Sequence, residues 1–396
     1  MDLQAIQNAL KEVGLDGWLF YDFHNRDMIA ARILNMDTKR FASRRWFYFI
    51  PAEGEPQKLV HKIEPWRCDH LPGEKHIYLP WQEQHRLLRD ILKWSKKIAM
   101  QYSPMNAIPY VSIVDAGTYQ LIKSFGVEIV SSADLVSKFE SHLSMEDWQS
   151  HVEAGKILQM VKDKAFKEIC NRVKAGQNPT EYEIYEFMVN LMKTNGLAFN
   201  DGPIVAVNEH AADPHFEPTL ENTFRMKEGD LVLIDLWAKL DKPRSIYYDI
   251  TWMGYIGETV PEKIENIFQI ARNARDTALN LVRRRFSRGE PLYGWEVDDA
   301  CRNVIREAGF AQYFTHRTGH NIGEEVHGNG VNIDNLETKD ERLIIPGTCF
   351  SVEPGIYMEN EKIGFRTEID VFVTDEGNVE VSGAIQEKVI PILTLS

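Results

Sequence analysis

A chain of 396 residues exceeds the size at which a single core stops growing, so two domains are expected. Its 43 % hydrophobic and 26 % charged residues are ordinary for a globular protein in water. With 45 Lys and Arg against 59 Asp and Glu the net charge is −14, which disfavours nucleic acid as a partner, and no run of about 18 apolar residues is present to span a membrane.

In chain order, MDLQAIQNALKEVGL lacks the basic and apolar regions of a signal peptide and predicts an amphipathic helix. Trp18–Tyr21 and Trp46–Ile50 are aromatic runs that predict strands, helices are expected near 82–95 and 116–125, and 127–130 predicts another strand. This alternation points to an α/β domain with a partly parallel sheet over residues 1–143. Ser144 is the expected N-cap of a long helix that opens a second domain over 144–396. Within it a helix near 180–195, strands near 203–208 and 231–238, and helices near 260–284 and 295–308 are expected. Each half of this domain leads from helices into an acidic hairpin, which suggests an old internal duplication. The four cysteines (Cys68, Cys170, Cys301, Cys349) show no CxxC spacing and predict buried thiols in a reducing compartment, the cytoplasm.

Chemistry concentrates in the second domain. Asp235 and Asp249, in LVLIDLWAKLDKPRSIYYDITWM, are placed about position 242 in the turn-forming run Asp241-Lys242-Pro243. Glu353 and Glu368, in CFSVEPGIYMENEKIGFRTEIDVFV, are placed about the Asn360–Glu361 boundary. Both pairs are expected at mirror positions of apolar hairpins. Carboxylates directly opposite on one face repel each other, so a cation is expected between them. The segment YFTHRTGHNIGEEVHGNG adds His316, His320 and His327, where Gly319 and Gly323 argue against a continuous helix. His215 lies in DPHFEP, before the first hairpin. Carboxylates with a neutral imidazole suit a divalent ion in a catalytic site. Arg366 is expected on the same strand face as Glu368, where it orients that carboxylate or the substrate.

The order Asp…Asp…GH…EPG…RxE resembles the M24 metallopeptidases, which comprise methionine aminopeptidases, Xaa-Pro aminopeptidases and Xaa-Pro dipeptidases (prolidases). The resemblance implies a pita-bread catalytic domain of α+β class, with metal ligands Asp235, Asp249, His320, Glu353 and Glu368. His327 matches the family's substrate-facing histidine, His316 and His215 match histidines of the Xaa-Pro branch, and GLDGWLFYDFHNRDMIAARI is similar to the α/β N-terminal domain of creatinase and prolidase. Departures accompany it: the two aspartates stand further apart than usual, Asp-x-Gly has become Asp235-Leu236-Trp237, Gly328 replaces an acidic residue after His327, and RTEID replaces R-I-E-D.

What the resemblance implies is hydrolysis of the bond before proline, foremost as an Xaa-Pro dipeptidase acting on short proline-containing peptides. Two divalent ions are expected, manganese first, with cobalt, zinc or iron as alternatives. Asp249 and Glu368 would bridge them, Asp235 would close one ion, and His320 with Glu353 the other. Glu353 would move the proton of the attacking water, and His327 and His215 would donate to the developing oxyanion. Lys339 and Arg342 are the candidate partners of a proline carboxylate. A homodimer is expected on the same ground. The competing readings are an Xaa-Pro aminopeptidase on longer peptides, a metal-free hydrolase of creatinase type, and a binding member of the fold without catalysis.

Overall fold

The computed structural model describes all 396 residues, in two compact units, Met1–Glu140 and Ser141–Ser396. In the first, Asp2 caps α1 (Leu3–Glu12), whose Ile6, Ala9 and Leu10 are buried. It is followed by β1 (Gly17–Asp22), α2 (Met28–Ile33), β2 (Trp46–Pro51), β3 (Gln57–His61), β4 (Glu74–Tyr78), α3 (Trp81–Leu92), β5 (Lys97–Met100), α4 (Ala116–Lys123), β6 (Glu128–Ser131) and α5 (Ala133–Phe139). The sheet runs β4-β3-β2-β1-β5-β6. It is partly parallel, as expected: β1 pairs with β5, β5 with β6 and β3 with β4 in parallel, while β2 is antiparallel to both neighbours. Period-two alternation splits β1 between two cores. Trp18 and Phe20 pack on one face with Ile6 and Leu10, and Leu19 on the other with Leu88 and Ile98.

Ser144 does cap the long helix α6 (Met145–Lys174), in a reciprocal capping box with Asp147. After α7 (Glu181–Thr194) come β7 (Leu197–Ala198), β8 (Ile204–Val207), β9 (Leu231–Leu240) and β10 (Tyr248–Tyr255), then α8 (Glu262–Ser287) and α9 (Gly294–Glu307). The remaining strands are β11 (Cys349–Val352), β12 (Gly355–Met358), β13 (Ile363–Arg366), β14 (Ile369–Val373), β15 (Val379–Val381) and β16 (Ile390–Pro391). β9 separates two apolar layers. Val232, Ile234 and Leu236 pack against α6 and α7, while Leu231 and Leu233 pack against α8 and α9. Asp235 and Trp237 share the parity of Leu231 and Leu233, so the acid is carried on the α8/α9 face.

The first hairpin departs from the expected register. Asp235 pairs with Thr251 and Asp249 with Trp237, so the turn centres on Pro243 and the two aspartates are diagonal neighbours. A two-residue offset keeps side chains on the same face, so both acids still point one way. The second hairpin keeps the expected mirror register but is split. Cys349–Val352 pairs with Ile369–Phe372, Gly355–Met358 with Ile363–Arg366, and Glu353-Pro354 faces Thr367-Glu368 across the gap. Proline has no N–H to continue a ladder, and the break lies where the two glutamates stand. All four cysteines are free and buried, and no helix is long and apolar enough to cross a membrane.

Candidate metal centre

The segment bearing His320 is extended and laid against β11. Gly319 bridges Ile333 and Asn321 bridges Phe350. Ser351 N donates to His320 O at 2.9 Å, Ile322 N to Cys349 O at 2.9 Å, and Glu353 N to Thr318 O at 2.7 Å. Such close approach requires glycine at 319, where a Cβ would sit 1.9 Å from the carbonyl oxygen of Ser351. The imidazole is thereby delivered to the acids: Nε2 lies 3.6 Å from Asp249 Oδ2 and 3.2 Å from Glu353 Oε1. Its Nδ1 is turned to the carbonyl of Asn321 at 3.2 Å. That contact fixes the ring orientation and leaves Nε2 facing the carboxylates.

Asp249, His320 and Glu368 each place a potential ligand atom within 4.8 Å of the others. Asp235 and Glu353 border the same chamber, since Arg366 joins Asp235 to it and His320 joins Glu353. Arg366 is 3 % exposed. It donates to Asp235 Oδ2, to Thr251 Oγ1 at 3.0 Å, to Tyr357 OH at 3.1 Å and to Pro214 O at 3.2 Å. Thr251 passes the contact on, donating to Glu368 Oε2 at 2.8 Å. Arg366 therefore orients Asp235 directly and reaches Glu368 only through Thr251, not side by side as the sequence suggests. Asp370 adds a further buried carboxylate, accepting the backbone N–H of Asp249 at 2.8 Å.

Electrostatically the chamber is short of positive charge. Five carboxylates face one guanidinium and two imidazoles, His320 and, with Nε2 3.6 Å from Asp370 Oδ2, His151. Four of their oxygens (Asp235 Oδ1, Asp249 Oδ1, Glu368 Oε1 and Asp370 Oδ1) are buried without any hydrogen-bond partner, a costly condition that calls for a cation. Burial raises Asp235 to about 7 against the pull of Arg366, and burial with neighbouring negative charge raises Asp249, Glu368 and Asp370. Burial alone would lower His320, but its contacts with Asp249 and Glu353 carry it up to about 9. Burial would raise Glu353, and the same imidazole holds it well below the usual carboxylate range. The side chain of Glu353 is 15 % exposed against 10 % for Asp235 and 7 % for Asp249. It is the carboxylate nearest to solvent. An oxygen-rich set with one imidazole suits Mn, Co, Zn or Fe.

The histidines divide. His327 sets its ring edge-on to His320, 4.2 Å between centroids, and the charge on His320, then burial, lowers it to about 3. His316 donates from Nδ1 to Arg317 O at 2.7 Å and accepts at Nε2 from Tyr357 OH at 2.8 Å. Burial lowers it to about 4, and its hydrogen-bonded path to the chamber runs through Tyr357 to Arg366. His215 is exposed, in a loop whose Pro214 carbonyl is held by Arg366.

The basic pair expected to receive a proline carboxylate is engaged by other partners. Arg342 is buried and bound to Asp340 and to Asn329 O, and exposed Lys339 pairs with Glu341 at 2.6 Å. The unusual Gly328 has a local reason, because a Cβ there would meet Asn321 Oδ1 at 2.2 Å. Trp237, where a glycine is usual, lies opposite Asp249 on the acid face. Thr251, Ser351, Tyr357 and Asp370 were not singled out from sequence. Thr251, Ser351 and Asp370 lie two residues from Asp249, Glu353 and Glu368 respectively, so polar residues at period two in apolar strands were the available signal.

The description Metallopeptidase family M24 matches residues 153–375. An uncharacterized peptidase of Staphylococcus aureus strain MW2 is 30 % identical over 259 residues, covering 65 % of this chain and 67 % of that protein. Among solved structures, dipeptidase PepE from Mycobacterium ulcerans superposes with a TM-score of 0.69 at 23 % identity, over 98 % of this chain and 96 % of that one. A recombinant prolidase from Thermococcus sibiricus gives 0.64 at 21 % identity, over 98 % of each.

Proposed function

The chain belongs to metallopeptidase family M24, and on that premise we propose that it hydrolyses the bond before proline, as an Xaa-Pro dipeptidase holding two divalent ions. The observation that carries this reading is the set of buried, partnerless carboxylate oxygens converging beside His320 Nε2. Asp235, Asp249, His320 Nε2, Glu353 and Glu368 would hold the ions, with manganese the first candidate. When bound, the ions supply Lewis-acid polarisation and a water of lowered pKa.

The chain's own residues do the rest. Thr251 and Arg366 fix the rotamers of Glu368 and Asp235, so the chamber is organised before substrate arrives. Glu353, steadied by Ser351 Oγ at 3.0 Å and open to solvent, takes the proton of the attacking water at its carboxylate and returns it to the leaving nitrogen of proline. His327 donates to the oxygen on which negative charge develops, and His215 serves the same oxygen. His316 acts through Tyr357 on Arg366 as a positioning residue. A homodimer accompanies this reading by family resemblance, and the four buried free thiols favour the cytoplasm.

The engagement of Arg342 and Lys339 elsewhere favours a second reading, an Xaa-Pro aminopeptidase on longer peptides, which needs no partner for a proline carboxylate. Hydrolysis of Ala-Pro and Ala-Pro-Ala with Mn²⁺ separates the two. Cleavage of Ala-Pro alone, abolished in Asp249→Asn, establishes the dipeptidase. Preference for the tripeptide moves the assignment to the aminopeptidase, and cleavage of neither refutes both.

A further inference from the structure

The first unit carries a pocket that the peptidase chemistry does not use. Its volume is about 1010 Å³, and its charged lining is Arg26, Arg44, Arg45, His61, His85 and Asp115. This unit as a whole is near neutral, with 18 Lys and Arg against 17 Asp and Glu. The positive charge is therefore gathered in one place, and it is left uncompensated. None of the three guanidinium groups makes an ion pair: Arg44 turns to Ser43 O and Oγ at 3.1 and 3.0 Å, and Arg26 lies over the ring of Phe23. The one carboxylate is already engaged, since Asp115 caps α4 by accepting from Thr118 N at 2.9 Å and Thr118 Oγ1 at 2.8 Å. Burial, then the charges of Arg45 and Arg89, hold His85 below its ordinary range.

The position is also that of a ligand site. The sheet order reverses between β1 and β5, which run parallel. The pocket is built from residues at the carboxyl ends of β1, β3 and β4 (Tyr21, His61, Tyr78) and from the first turn of α4, which follows β5. Crevices outside the carboxyl ends of strands at such a reversal are the usual binding places of open α/β sheets. Trp81, 58 % exposed and edge-on to His85 at 5.1 Å, and Phe23 give the pocket aromatic walls.

We propose that this pocket binds a small anion with a planar apolar part, a phosphate monoester or aromatic carboxylate, through Arg44 and Arg45 with Trp81 or Phe23 against the apolar part.

The test is calorimetric titration of the full-length protein with phenyl phosphate and, separately, phthalate. The comparison is wild type, Arg44→Ala/Arg45→Ala, Arg45→Lys and, as a remote control, Arg283→Ala. Tyr78 OH donates to the backbone carbonyl of Arg45 at 2.8 Å, a contact that alanine keeps, and thermal melts verify folding. Expected is saturable binding that weakens with added salt, falls at least about tenfold in the double variant, falls less in Arg45→Lys and is unchanged in Arg283→Ala. Preference for phenyl phosphate assigns phosphate monoesters, and preference for phthalate assigns carboxylates. No saturable binding of either probe, or affinity in the double variant within about twofold of wild type, overturns the proposal.

Discussion

Removal of Arg366 examines the electrostatic reasoning most sharply. This guanidinium is the one buried permanent cation among five carboxylates, and it makes four donor contacts, to Asp235, Thr251, Tyr357 and Pro214. Removing one member of a buried, hydrogen-bonded charge pair typically costs about 3–5 kcal/mol, because the remaining charge is left uncompensated. The unit that contains it, Ser141–Ser396, has an unfolding entropy scale at which that loss lowers its melting temperature by about 6–10 °C. Arg366→Met keeps most of the volume and removes the charge; Arg366→Lys keeps the charge and loses the fork that spans Asp235 and Thr251. Differential scanning calorimetry on protein dialysed against chelator should give the full drop for methionine and a smaller one for lysine. Added Mn²⁺ should raise the wild-type transition, because ions that bind only the native state stabilise it by mass action. A methionine variant melting within about 2 °C of wild type would refute the claim that Arg366 balances the chamber.

Three further outcomes are expected. Gly319→Ala forces a Cβ to 1.9 Å of Ser351 O; it should cost about 1–3 kcal/mol in calorimetry and, by displacing His320, lower peptide hydrolysis on the order of 10²-fold. Ser144→Ala breaks the capping box of α6 and should cost about 1 kcal/mol in chemical denaturation without changing hydrolysis. His151, wholly buried and donating from Nδ1 to Tyr247 O at 2.6 Å, is lowered by burial to about 3. Its folded pKa lies below the unfolded one, so its contribution is present above about pH 6.5 and is lost as pH falls. Between about pH 6.5 and 5 it removes about 2 kcal/mol, a slope that urea titrations of His151→Asn should show reduced.

What the sequence disclosed follows from which contacts are local in pattern. The acids of the second hairpin were legible because strand alternation and a single polar turn set one register, which persists across the gap at Glu353-Pro354. In the first hairpin three turn-forming residues allowed more than one centre. The structure centres the turn on Pro243, yet the offset is even, so the face of Asp235 and Asp249 was read correctly. For Lys339 and Arg342 composition shows that cations are present and not that Glu341 pairs with the first and Asp340 with the second. The roles of Arg366 and Asp370 depend on partners more than 100 residues away, Asp235 and Asp249. No local period encodes such pairings. The cationic pocket of the first unit was hidden for the same reason, its lining being gathered from five separate strands and helices.

The central claim is that the partnerless carboxylate oxygens around His320 exist to hold divalent ions. Equilibrium dialysis of the chelator-stripped protein against Mn²⁺, with metal counted by elemental analysis, tests it most directly, wild type beside Glu368→Gln. Two ions per chain are expected in the wild type and fewer than one tightly held in the variant. A wild type that retains no manganese, cobalt, zinc or iron, or a variant that binds as well as wild type, would contradict it.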